Sequence, residues 1–211
     1  MARFARALAL ATALLLVLAG PDGVWAGVPS DQLRAQIDRA LKILEDPELK
    51  KDGKQRERRA AIRQVANDIF DFSETAKRSL ARHWASRTQA ERDEFVGLFA
   101  DLLERSYISK IELYGGEKIK FVGESVDPDG AVVRTRLVTK QGTEIPIDYR
   151  MHARGDKWLV YDVHIEGVSL ISNYRTQFNK IITTSSFQEL VKKMKTKQGE
   201  FIQEEKRTSQ R

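Results

Sequence analysis

The hydrophobic positions of this chain change their period midway. Up to Ile111 the apolar residues recur every three or four positions, and after Gly116 they recur every second one. Ser30 is a good cap for a first helix in which Leu33, Ile37, Leu41 and Leu44 share a face, and Pro47 stops the run. Residues 48–55 are polar and Lys-rich, as suits a loop. Ile62, Val65, Ala66 and Ile69 mark a second helix. Asp71 or Ser73 then caps a short third one that reaches Leu80. Thr88 and Glu91 have the spacing of a capping box, in which each side chain satisfies a free backbone N–H of the other. Behind them Phe95, Leu98, Phe99, Leu102, Leu103 and Ile111 form a broad apolar stripe.

Beyond Gly116 the alternation predicts four strands. Ile119 and Phe121 belong to the first, and Asp127-Pro128-Asp129-Gly130 is a turn in which Pro presets φ. Val133, Thr135 and Leu137 alternate in the second strand; Ile145, Ile147, Tyr149 and Met151 in the third; Leu159, Tyr161, Val163 and Ile165 in the fourth. Short turns at Gln141-Gly142 and Arg154-Gly155-Asp156-Lys157 separate them. A helix over 170–183 and a long Lys-rich helix after Ser186 and Glu189 close the chain. The class is therefore α+β: an antiparallel four-stranded sheet with one apolar face, which the helices must cover. That face is expected to carry Phe121, Tyr149, Met151, Tyr161, Val163 and Ile165, with Phe70, Phe72, Trp84, Phe95, Phe99, Leu103 and Tyr107 facing it from the helices. Buried tyrosines need hydrogen-bond partners, and Tyr107, Tyr149 and Tyr161 fit around a cavity with a polar mouth more easily than inside a dry core. A filled core and a hollow one share this pattern.

Composition narrows the chemistry. The chain has 211 residues, a formal net charge of +6 and no cysteine, which excludes disulfides, thiolate metal sites and a thiol nucleophile. A basic balance suits nucleic acid, an anionic membrane surface or an acidic protein. The N-terminus decides among compartments: Arg3 and Arg6, an uncharged Leu- and Ala-rich stretch over 7–19, and Val24-Trp25-Ala26 make up a secretory signal. The apolar stretch is shorter than the ~20 residues of a membrane span. Cleavage is expected after residue 26, leaving residues 27–211 as one domain and lowering the charge by one. Nucleic acid is then not an expected partner.

The catalytic inventory is thin. His83, His152 and His164 lack metal-ligand spacing, and there is no H-E-x-x-H, phosphate-binding loop or dinucleotide fingerprint. Gly167-Val168-Ser169 begins a nucleophile elbow, but Ile171 stands where its second Gly belongs. Asp127 and Asp129 read as turn residues, because a calcium loop would need a later Gly and a closing Glu. No catalytic residue, metal or cofactor is expected. Two rival readings are a pocket enzyme with Asp148 or Asp162 as base, and an interaction protein with a solid core. Arg134, Arg136, Arg150 and Arg154, with Lys192, Lys193, Lys195 and Lys197 on the last helix, are candidate docking charges.

One long block adds a resemblance. Residues 158–178, which contain Trp158, Tyr161-Asp162-Val163, Glu166-Gly167-Val168-Ser169, Asn173-Tyr174-Arg175 and Gln177-Phe178, closely resemble the signature of the MlaC family, also called the toluene-tolerance family. Phe70-Asp71-Phe72, Ala76, Trp84, Arg92, Phe95 and Tyr107 are similar to that family as well, and His83 departs from it where a Gly is expected. The resemblance implies a monomeric periplasmic phospholipid carrier with a cystatin/NTF2-like sheet wrapped by helices and an apolar cavity between the two. It implies phospholipid as cargo, held by the residues named above together with Val168 and Ile171. It also implies an inner-membrane MCE-domain ABC transporter complex and an outer-membrane lipoprotein–porin complex as partners.

Overall fold

The structure of the chain, a computed structural model, describes residues 29–208, and the expected signal at 1–26 lies outside the described residues. Four helices come first: α1 (Pro29–Glu45), α2 (Gln55–Ile69), α3 (Phe72–Leu80) and, after a 3-10 turn at Ala81–His83, α4 (Gln89–Ile111). Five strands follow: β1 (Lys118–Asp127), β2 (Gly130–Val138), β3 (Glu144–Arg154), β4 (Lys157–Ile165) and β5 (Val168–Ser169). Helices α5 (Leu170–Thr184) and α6 (Phe187–Thr208) complete the fold. Helices α3, α4 and α6 start at the capping residues that the sequence offers, whereas Ser30, expected to cap the first helix, lies inside α1, and α2 starts with no side-chain cap. Asp71 rather than Ser73 caps α3, accepting from the Glu74 amide at 2.9 Å. The Thr88–Glu91 box is complete at α4, and Ser186 Oγ accepts from the Glu189 amide at 3.0 Å at α6.

The sheet runs in sequence order, β1-β2-β3-β4-β5, with every neighbouring pair antiparallel. The fifth, two-residue strand was not expected. It forms because Glu166 and Gly167 both take left-handed φ, at 51° and 80°, and turn the chain back onto β4. Gly adopts that geometry without steric cost, whereas Glu166 is held there by its amide, which donates to Pro146 O at 3.0 Å. Further along the same edge of β4, Phe70 makes a parallel bridge to Val160, which ties the start of α3 to the sheet edge.

One expectation about the sheet face is corrected. Tyr149 pairs with Val163 and Arg150 with Asp162, but Met151 pairs with Val160, so Tyr161 is the extra residue of a bulge. A bulge shifts the period-2 alternation by one residue. Val160 and Trp158 therefore join the inner face, while Tyr161 turns outward between the His152 ring at 5.8 Å and the Arg78 guanidinium at 3.9 Å. Leu159, Val160 and Tyr161 are all apolar, so no polar marker in the sequence reveals the change of face.

The apolar side chains collect in separate clusters. Leu33 and Ile37 of α1 pack on Ala131, Val133, Met151 and Val160 of the sheet. Phe95, Phe99 and Leu103 of α4 pack instead among α3, α5 and α6, against Leu80, Ile171, Phe178, Phe187 and Leu190. A third, small cluster joins Leu44, Ile62 and Ile108. At the β1–β2 turn, a Cβ on Gly130 would lie 2.5 Å from the Met151 carbonyl oxygen, closer than neighbouring strands tolerate. Gly130→Ala should therefore cost about 2 kcal/mol, since overpacking moves backbone as well as side chains. A urea titration measures this, and an unchanged midpoint would contradict the close approach.

Candidate functional site: an apolar layer open at one end

The register sorts the inner sheet face into rows. Ala131, Met151 and Val160 lie side by side nearest the β1–β2 and β3–β4 turns. The next row is Val133, Tyr149 and Val163, and the one after it Phe121, Thr135, Ile147 and Ile165. Ile119, Leu137 and Ile145 form the last. The first row is fully buried beneath α1. Along β3 and β4 exposure rises from there: Tyr149, Val163, Ile147 and Ile145 are half-buried and Ile165 is 38% exposed. On β2 Val133 and Thr135 stay buried before half-buried Leu137, and on the β1 edge Phe121 and Ile119 are half-buried and Val126 is 47% exposed. Along β3 and β4 the face thus begins buried and ends half-buried to exposed.

Helix α1 sets this gradient because it is fastened at the turn end. The Ser30 amide donates to Glu124 Oε2 at 3.0 Å. Gln32 donates to the Asp156 carbonyl at 3.0 Å and accepts from the Trp158 amide at 2.8 Å. Further along, the Arg34 guanidinium lies 3.9 Å over the Phe121 ring. Beside the covered row, Leu33, Ile69, Met151 and Trp158 line a cavity of about 410 Å³ whose rim carries Gln32, Gln36, Asp68 and Lys157. That volume falls within the range of about 300–1,000 Å³ usual for small-ligand sites.

Polar chemistry inside the layer is confined to one pair. Thr135 is buried and its hydroxyl donates to the Ile147 carbonyl at 3.1 Å. Burial pushes the Tyr149 phenol up to about 12, and its hydrogen bond with Thr135 offsets only part of that shift. This pair is therefore neutral at ordinary pH, and the charged groups beside the layer include Arg34, over the Phe121 ring, and Glu124, opposite Val133.

The sequence-predicted residues divide between two places. Phe70, Phe121, Tyr149, Met151 and Val163 belong to the layer, with Ile165 and Val168 at its open end. Phe72, Trp84, Phe95, Phe99, Leu103, Tyr107 and Ile171 belong to the helical cluster, and Tyr161 to the outer face. The helical residues do not face the sheet across a shared space, because Phe178 and Phe187 fill the α4 stripe with ring contacts of 5.1–6.1 Å. The stack of Phe70 on Phe72 at 5.8 Å is the seam between the two clusters. Ile119, Thr135, Leu137, Ile145 and Ile147 complete the layer. Each alternates in phase with an expected lining residue, so the sequence carried their signal without chemical emphasis.

Two buried carboxylates fix the helices to the sheet. Asp71, at the head of α3, accepts from Arg154 at 2.6 Å and lies 3.1 Å from His152 Nε2. Asp162 on β4 accepts from Ser169 Oγ at 2.7 Å and from the Ile171 amide at 3.1 Å, holding the start of α5. His164 stands 3.1 Å from Asp162 and 3.0 Å from Arg150. Asp148 and Asp162 lie in rows with Arg134, Arg150 and His164 on the outer face, so neither reaches the apolar layer as a base. The candidate docking charges are largely engaged within the chain: Arg134 with Ser125, Arg136 with Glu144, and Lys195 with Glu94.

Comparison with known proteins finds similarity at the level of family, sequence and structure. The family model described as MlaC protein matches residues 34–196. The chain is 23% identical over 138 residues to the intermembrane phospholipid transport system binding protein MlaC of Haemophilus influenzae, which covers 62% of this chain and 64% of that relative. The match thus spans less than two thirds of the relative's length. A solved structure of a phospholipid-binding protein from Ralstonia solanacearum, in complex with a phospholipid, superimposes with a TM-score of 0.73 at 22% identity. It covers 82% of this chain and 98% of that one, and shares the fold.

The Asp71 anchor has a pH signature. Burial alone would raise the Asp71 pKa, but the Glu74 amide and the charges of Arg154 and His152 hold it below the usual carboxylate value. A depressed folded pKa contributes stability above the unfolded value of about 3.9, and that stability is lost as pH falls through the folded pKa. Asp71→Asn should cost about 1–3 kcal/mol at pH 7, with the gap to the wild type closing below about pH 4. Denaturation at both pH values measures it, and a gap independent of pH would contradict the assignment.

Proposed function

The chain belongs to the MlaC family, and on that premise we propose that it is a soluble carrier of glycerophospholipid. The observation that carries the reading is the inner sheet face, which is mainly apolar along β2, β3 and β4, buried under α1 at one end and half-buried to exposed at the other. Acyl chains enter at the uncovered end, run along Ile147, Tyr149, Val163 and Phe121, and reach toward Leu33 and Met151. The head group stays at the mouth. Ile165 and Val168 stand at that entrance, and Phe70 closes the inner side where the sheet meets the helical cluster. The chemistry asked of these residues is exclusion of water. No residue need donate or accept a proton, and the neutral Thr135–Tyr149 pair charges no part of the path.

Energetics favour handing the lipid on over releasing it. Two chains with about 28 buried methylenes at ~0.8 kcal/mol each give on the order of 22 kcal/mol gross. That approaches the ceiling of non-covalent affinity before ordering costs are subtracted. Escape into water is then very slow, and the lipid passes directly between apolar surfaces. In this reading the protein is exported to the periplasm by its N-terminal signal. There it exchanges lipid with an inner-membrane MCE-domain ABC transporter complex and an outer-membrane lipoprotein–porin complex. The names of its relatives, which speak of phospholipid binding and intermembrane phospholipid transport, support this.

The test is direct. Protein purified without detergent, extracted with organic solvent and analysed by mass spectrometry should yield phospholipid in stoichiometric amount. Ile147→Glu, at a half-buried position of the layer, should empty the extract, and an unchanged far-ultraviolet circular dichroism spectrum shows that the fold is kept. An empty wild-type extract, from protein that also takes up no added lipid, would refute the carrier reading.

A further inference from the structure

Among the described residues, seven large apolar side chains are exposed: Ile111, Leu113, Val122, Val126, Ile165, Val168 and Ile202. Four of them gather at one end of the molecule, the open end of the apolar layer. Chain connectivity fixes this placement. The segment between α4 and β1 delivers Ile111 and Leu113 to the start of β1, where Lys118 pairs with Val138 at the end of β2. On the other flank, β4 ends at Ile165, opposite Ile147 near the start of β3, and Val168 pairs with Ile165. Leu113 is 81% exposed and Val168 64%, against 40% for Ile111 and 38% for Ile165. The two most exposed thus stand on opposite sides of the uncovered rows.

Such exposure is a cost that folding does not require, since contiguous apolar groups at a rim mark an interaction surface. The charges around them identify the partner. Lys110, Lys118, Lys120, Arg136 and Lys140 lie on the β1–β2 flank of this end, and the carboxylates near it include Glu45, which accepts from the Tyr114 hydroxyl, with Glu117, Glu144 and Glu166. Glu144 is engaged by Lys120 and Arg136, Glu117 by the Gly115 amide, and nearby Glu112 is turned inward to Arg58 and Arg59. Lys110 and Lys118 stay exposed. Apolar side chains beside a flank of lysines have the composition of a bilayer interface: the methyl groups reach below the head groups while the ammonium groups stay at the phosphates.

We propose that this end of the sheet docks directly onto an anionic phospholipid bilayer, with Leu113 and Val168 entering the interface on either side of the opening. The inference rests on the carrier reading and adds to it the orientation in which cargo crosses. With the rim seated, the uncovered rows of Leu137, Ile145 and Ile147 face the bilayer, and a chain leaves one apolar phase for the other without meeting bulk water.

The double variant Ile111→Asn/Leu113→Asn tests it, because both positions are exposed, lie outside every core cluster and take no part in the lipid path. Three readouts are taken: co-flotation with vesicles of phosphatidylethanolamine and phosphatidylglycerol, the rate of uptake of a fluorescent phospholipid from those vesicles, and the lipid retained after loading from cyclodextrin. The variant should float less and take up lipid more slowly, each by about tenfold, as expected when two aliphatic side chains lose interfacial burial. Its retained lipid after cyclodextrin loading should equal that of the wild type. Raising the salt should weaken wild-type flotation. Flotation and uptake at wild-type levels in the variant would overturn the proposal. So would a wild type that never floats at low salt, an outcome that assigns the rim to a protein partner. A wild type that floats but acquires no lipid by either route would refute the carrier reading and leave the docking surface standing.

Discussion

The fold is governed by uneven cover of the inner sheet face, on which α1 and the end of α2 pack. Leu33 and Ile37 of α1 seal the rows around Met151 and Val160, and Ile147 and Ile145 further along stay only half-buried. An ordinary domain would close that gap with a further helix, because apolar area left in water costs about 25 cal/mol per Å². Here the helix that would serve, α4, packs its stripe of Phe95, Phe99 and Leu103 against α3, α5 and α6. The residual apolar surface is what a carrier of acyl chains requires.

Polar contacts keep that arrangement from collapsing. Asp71 holds α3 against β3 through Arg154 and His152, and Asp162 holds the beginning of α5 against β4. Both carboxylates are buried, and a buried carboxylate is tolerated only where its lone pairs are satisfied. Their geometry sets where the helical cluster sits relative to the sheet. The Phe70–Phe72 stack lies at the same seam, with one ring in each cluster. A shift of the helical cluster therefore has to break named contacts, which makes the positioning of the two halves discrete.

Most of the fold was legible in the sequence, for reasons that can be given residue by residue. Capping residues such as Asp71, Thr88 and Ser186 act over three or four positions, so their meaning is local, and each caps the helix it was expected to cap. The strands were legible because Thr135, Ile147 and Tyr149 keep strict alternation. The bulge at Tyr161 was not, because it depends on pairing across β3 and falls among three apolar residues. The short β5 depends on Glu166 in a left-handed conformation, which propensity disfavours. The division of the aromatic residues into two clusters was also out of reach. Period shows which face of α4 is apolar but not which partner that face meets, and the partners, Phe178 and Phe187, lie some eighty positions away in the chain.

The two clusters give the lipid-carrying role a sharp physical alternative: cargo held on the sheet under α1, or cargo held among the helices around Phe95 and Phe99. A phospholipid bearing a photoactivatable diazirine in the middle of one acyl chain distinguishes them. After loading, irradiation and peptide mass spectrometry, the label should fall on β2, β3 and β4, at Leu137, Ile147, Tyr149 or Val163. Labelling confined to α4 and α5 around Phe95, Phe99 and Phe178 would contradict the assignment of the open sheet face as the lipid site.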